Sequence, residues 1–125
     1  MNNEPIFKYD EPGDTMYISF AVGEKGTGIE LNEQILLRIN QAERRVVGLT
    51  LFDYSVLARR TEIGFRSLPL NGLNDLPAEM REMVLEILLS APVKDVLSLS
   101  AYTPSTAETI PITSLQNSVL ERKAA

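Results

Sequence analysis

A chain of 125 residues with 17 acidic and 12 basic side chains, and with neither cysteine nor histidine, excludes much chemistry at the outset. Folding at this length removes roughly two-thirds of the unfolded surface from water, so a single domain needs no disulfide or metal staple. The missing residue types rule out thiolate nucleophiles, Cys/His zinc sites and the Ser-His-Asp and Cys-His constellations, and a net charge of -5 opposes a nucleic-acid phosphate backbone.

The first element in the chain is a hairpin. Ile6 to Asp10 and Thr15 to Ala21 alternate apolar and polar residues on either side of Pro12-Gly13, where proline presets φ and glycine accepts positive φ. With Asp10 opposite Thr15, residues Phe7, Tyr9, Met16, Ile18 and Phe20 share one face, and Lys8, Tyr17 and Ser19 share the other. Trans Pro-Gly suits a bulge or a four-residue loop better than a two-residue turn.

After Gly23-Glu24-Lys25-Gly26, a strand from Thr27 to Leu31 returns through Asn32-Glu33-Gln34 into a strand from Ile35 to Asn40. Pairing Leu31 with Ile35 sets Ile29 opposite Leu37 and Thr27 opposite Ile39, with Glu30 diagonal to Arg38 as a cross-strand ion pair. The fifth strand, Arg45 to Phe52, is expected to match Ile39 with Val47, Leu37 with Leu49 and Ile35 with Leu51. Gly48 then faces Arg38 and leaves a notch that another backbone could approach.

Asp53 or Ser55 can cap a short helical turn, and the stretch from Thr61 to Pro69 has no clear period. Pro77 and Glu79 open an amphipathic helix over about 77–90, which Pro92 ends. Its stripe is Met80, Met83, Val84, Ile87, Leu88 and Ala91, and Glu79, Glu82 and Glu86 form its wet edge. Leu85 and Leu89 fall outside the stripe, a pairing that suggests a wider buried face or another subunit. Val96 to Tyr102 and Thr109 to Leu115 form a second hairpin across Pro104 to Ala107, with Pro111 expected on an edge or at a bulge. The fold class is therefore α+β.

Candidate chemistry is sparse. Asp10, Glu11 and Asp14 crowd one turn and are weak ligand candidates for a hard cation, although turns recruit Asp for their own hydrogen bonds. Tyr17, with Lys8 and Ser19 beside it, offers a proton donor or ligand platform, but exposed aromatics on antiparallel sheets are usually cross-strand packing or interface residues, the reading favoured here. Arg44-Arg45, Arg59-Arg60 and Arg66 are diluted by Glu43 and Glu62, and Gly23, Gly26 and Gly28 do not lead from a strand into a helix as a phosphate loop must.

Between Phe7 and Ser55 the chain carries Tyr9-Asp10, Asp14 and Tyr17-Ile18, then Ile29-Glu30-Leu31, then Arg45-Val46-Val47-Gly48-Leu49-Thr50-Leu51. In the order of these features it resembles domain-of-unknown-function family 2283, a likeness that implies a β-rich fold and a bacterial origin. The resemblance implies no activity. Relatives often carry acids on the fourth and last strands, where this chain has Arg38, Asn40 and Thr50, so an acidic site on that face is lost here.

The sequence reads as one domain, a meander over 6–55 followed by a helix-plus-hairpin extension over 56–120. The expectation is a cytoplasmic, non-catalytic interaction or regulatory module, since the opening residues lack the basic and apolar regions of a signal and no apolar run spans a bilayer. Partners are a second copy in a homo-oligomer, such as a dimer, or another protein, with Tyr17, Gly48, Leu85 and Leu89 as possible interface residues. No metal, cofactor, membrane or nucleic acid is expected. The alternatives are a neutralising, antitoxin-like partner of a small basic protein, and a small-molecule or ion-binding domain.

Overall fold

The computed structural model describes residues 5–61, 64–65, 67–105 and 108–115, which lie in two compact units, Met1–Ser55 and Val56–Ala125. The architecture is α+β. The first unit holds a five-stranded antiparallel sheet of β1 (Ile6–Asp10), β2 (Thr15–Ser19), β3 (Thr27–Glu30), β4 (Ile35–Asn40) and β5 (Arg45–Phe52) in the order β1-β2-β5-β4-β3; it is not the simple meander expected, because β5 returns to pair with β2 and leaves β3 on the far edge.

Alternation sets the register. Phe7, Ile18, Leu49, Leu37 and Ile29 line up across the strands, and Tyr9, Met16, Leu51 and Ile35 form the next row. Met16, Ile18, Ile35, Leu37, Leu49 and Leu51 are buried almost completely, so the apolar parity of five short segments becomes one continuous core face.

Four expectations change in detail. β2 ends at Ser19 because the N–H groups of Phe20 and Ala21 both turn to the Val47 carbonyl, and β3 ends at Glu30 although Leu31 N–H still donates to Ile35. Ile39 pairs with Val46, not Val47, because a bulge falls between Arg38 and Ile39. In the first turn Asp14, with φ 49°, takes the left-handed conformation expected of Gly13. Its N–H donates to Glu11, closing a four-residue loop, and Arg44 (φ 52°), donating to Gln41, ends the β4–β5 loop in the same way.

Helix α1 (Tyr54–Leu57) begins at the end of the first unit. Neither Asp53 nor Ser55 caps it from its own sequence; Asp14 does. The Asp14 backbone carbonyl accepts Tyr54 N–H, and its carboxylate accepts Ser55 N–H at 3.0 Å and Ser55 Oγ–H at 2.6 Å.

In the second unit the short strands β6 (Arg60–Thr61) and β7 (Gly64–Phe65) pair with each other. A three-stranded sheet is ordered β8 (Leu68–Pro69), β10 (Glu108–Leu115), β9 (Leu97–Ser105). Pro111 therefore stands on the middle strand, not on an edge. It is tolerated because β8 is only two residues long: Pro111 lies where that pairing ends, its carbonyl accepts Leu70 N–H, and the missing donor costs one reciprocal bond.

Helix α2 (Ala78–Leu88) has Pro77 as its N-cap and not as its first residue, ends before the expected residue 90, and buries Val84, Ile87 and Leu88, while Ala91 of the expected stripe is exposed. Arg81 fastens this helix to the 3-10 turn Asn71–Asp75 before it, donating from Nε to Leu73 O and from Nη2 to Leu76 O. Leu73 is in the middle of the turn and its carbonyl also accepts Leu76 N–H, while Leu76 follows the turn's end, where a helical segment leaves acceptors unpaired.

Candidate functional site

Two surfaces bring the sequence-selected residues into defined settings, one in each unit. The first is the face of the five-stranded sheet opposite its core. Across it the central row reads Ile6, Ser19, Gly48, Arg38 and Gly28, and the neighbouring row reads Lys8, Tyr17, Thr50, Leu36 and Glu30. Tyr17 is 42% exposed and Ile6 is exposed beside it.

The Gly48 notch is present but filled. A Cβ there would lie 2.9 Å from the Ile18 carbonyl oxygen, and 3.1 Å from Nη2 and 3.8 Å from Cζ of Arg38, so the guanidinium has folded across the space that glycine leaves. It leans toward Gly48 and not toward Gly28, whose missing Cβ would meet Leu36 Cδ1 at 3.5 Å. The cross-strand ion pair expected between Glu30 and Arg38 is absent among the described residues: the register is the expected one, with Glu30 diagonal to Arg38, but the guanidinium turns to the other side, over Gly48 on β5. Arg38 Nε is shielded from water with no hydrogen-bond partner.

Asp10 and Asp14, the weak ligand candidates, part company. Asp10 is exposed at the end of β1. Asp14 is a structural clasp: besides capping α1, its carboxylate accepts a 2.6 Å hydrogen bond from the Tyr9 hydroxyl. That bond, then burial and the charges of Asp14, Glu11 and Asp10, push the Tyr9 phenol up to about 12. Tyr54, with no exposed surface, is also pushed up to about 12, chiefly by burial, and its ring lies 5.5 Å from that of Tyr9 at 57°. Among the described residues no group of three or more acidic side chains is arranged to hold a metal ion.

Among the basic candidates, Arg45 is held by two acids. Arg45 donates to Glu24 and Glu43 at 2.6 Å each, and Asn40 Nδ2 donates to the second Glu24 oxygen at 3.3 Å. The Arg45 bond is the main reason that Glu24 is held below the ordinary carboxylate range. Arg66, Glu62 and the turn residues Thr106 and Ala107 lie outside the described residues. No described helix is long and apolar enough to cross a membrane.

The second surface is an open apolar groove of about 360 Å³ in the second unit, lined by Leu89, Leu99, Ser100, Ala101 and Pro111. Ala101 and Pro111 are opposite each other on β9 and β10, and Leu89 is the residue that ends α2, 61% exposed. Leu85 is half-buried, so the two flank leucines separate in role. Sequence periodicity finds Leu89 but not its neighbours, which come from a hairpin tens of residues away. It likewise assigns Arg38 to an ion pair, although the same register sets a glycine on each side of it.

No protein-family model, no curated protein and no solved structure matches the chain.

Proposed function

We propose that the protein is a non-catalytic interaction module that self-associates through the apolar groove of its second unit. The observation that carries this reading is Leu89, a large aliphatic side chain more than half exposed at the rim of a groove whose other walls are Leu99, Ala101 and Pro111. Knob and groove on one surface are self-complementary. A two-fold axis between two copies would seat each Leu89 in the other's groove, the isologous arrangement common in homodimers. Burial of one leucine contributes roughly 1.5–3 kcal/mol when complete, and two-fold symmetry counts it twice.

The absence of histidine and cysteine supports a role without acid–base or thiol catalysis, and the kinship with family 2283 and a cytoplasmic setting belong to the same proposal. Sedimentation equilibrium tests the association. The wild-type protein should exceed the 13.9 kDa of one chain with increasing concentration, and Leu89→Glu should return it to that mass. A wild type that stays at one chain throughout overturns the reading.

A further inference from the structure

The first unit carries a set of side chains that its own packing does not use. Arg38, Lys8, Tyr17 and Ser19 share the outer face of the sheet, and among the described residues none of the four makes an ion pair or a side-chain hydrogen bond. All four are donors. A native chain seldom keeps a guanidinium N–H both shielded and unpaired, and Arg38 Nε is in that position. The acids do not answer it: Glu30, diagonal to Arg38 on the same face, makes no ion pair with it, Glu24 is taken by Arg45 and Asn40, and Asp14 by Tyr9 and Ser55.

Placement makes the guanidinium available. With Gly48 and Gly28 on its two sides no neighbouring side chain in its row rises beside it, and Arg38 keeps part of its surface exposed. Its reach across Gly48 brings Nη2 toward β2, where Ser19 is paired with Gly48 and Tyr17 stands in the adjoining row. We infer that this face binds a small oxyanion, a carboxylate or a phosphate, on the Arg38 guanidinium above Gly48, with the Ser19 and Tyr17 hydroxyls as flanking donors. Arginine suits this ligand because its planar fork matches two oxygens at once, and a partly desolvated cation holds an anion more firmly than one in open water. Lys8 adds a second positive charge on a chain whose net charge is -5, so attraction is local to this face.

The site lies wholly in the first unit and stands or falls apart from the groove that contains Leu89. It is tested by titrating the full-length protein with sodium phosphate and, separately, sodium acetate at constant ionic strength, following the Arg38 Nε–H and the backbone amides of Tyr17, Ser19 and Gly48 by ¹H–¹⁵N NMR. Saturable shifts confined to these groups are expected with at least one of the two anions, and which one saturates distinguishes a tetrahedral from a planar ligand. Arg38→Gln should weaken the affinity about tenfold or more, and Arg38→Lys, which keeps the charge without the fork, should weaken it less. Leu89→Glu should leave it unchanged. Shifts that never saturate with either anion, or that persist undiminished in a folded Arg38→Gln protein, overturn the proposal. Should Arg38→Gln fail to fold, the wild-type Nε–H response and Arg38→Lys decide it.

Discussion

At the scale of single residues, two positions do more than their local sequence suggests. Gly48 has a normal backbone conformation, yet a methyl group there would press on the Ile18 carbonyl and the Arg38 guanidinium, one of them immobile backbone. Gly48→Ala should therefore cost about 1–3 kcal/mol in denaturant unfolding, the usual range for overpacking. Asp14 closes the first turn, caps α1 and anchors Tyr9, so Asp14→Asn should cost about 1–3 kcal/mol for weakened caps and lost charge-assisted bonds. The same substitution has a spectroscopic signature. Tyr9 should ionise near 12 in the wild type and move back toward 10 in the variant, read as phenolate absorbance in an alkaline titration. Because the folded value is the higher one, the stability linked to Tyr9 is complete below pH 10 and is lost as pH rises through about 12.

At the scale of elements, the five strands and their hairpin registers were legible because that information is local and repeated. Alternating residues fix which face is buried and short turns join β1 to β2, β3 to β4 and β4 to β5, so Tyr9 opposite Met16, Ile29 opposite Leu37 and Leu37 opposite Leu49 all follow, whereas the insertion of β5 between β2 and β4 does not. Parity does not reveal a bulge, and Val46 rather than Val47 faces Ile39 for that reason. It is equally silent about contacts between distant segments. The Asp14 cap on α1 spans 41 positions, and the alliance of β8 with β10 joins a stretch without periodicity to a strand whose proline had suggested an edge. Two of these long-range fastenings are open to measurement. Arg81→Ala should destabilise the second unit by about 1–3 kcal/mol, since it leaves the carbonyls of Leu73 and Leu76 without their guanidinium donor. Glu24 ties the loop before β3 to the β4–β5 hairpin through Arg45 and Asn40, and its carboxyl is held low. Its contribution to stability is present above the ordinary carboxylate pKa and is lost as pH falls through the depressed value. Wild type should thus lose more stability than Glu24→Gln on acidification across that window, as followed by urea unfolding at successive pH values.

For the molecule as a whole, the two units carry surfaces of different chemistry: the first unit's sheet face offers donors, two cations and the Glu30 carboxylate, and the second unit's groove is apolar and lined in part by Leu89. The sequence marked Tyr17, Gly48 and Leu89 through exposed aromatic character, a missing side chain and a leucine off the apolar stripe. It could not mark the groove, because Leu99, Ala101 and Pro111 acquire their meaning only when β9, β10 and α2 are in place. The proposed role is to hold a partner through that groove. Native mass spectrometry of the intact protein is the most direct test of that view, since one spectrum separates a single chain, a homodimer, a complex with a second protein and a bound small molecule. The account predicts a species at twice 13.9 kDa that Leu89→Glu abolishes, whereas a wild-type spectrum containing only the 13.9 kDa chain would contradict it.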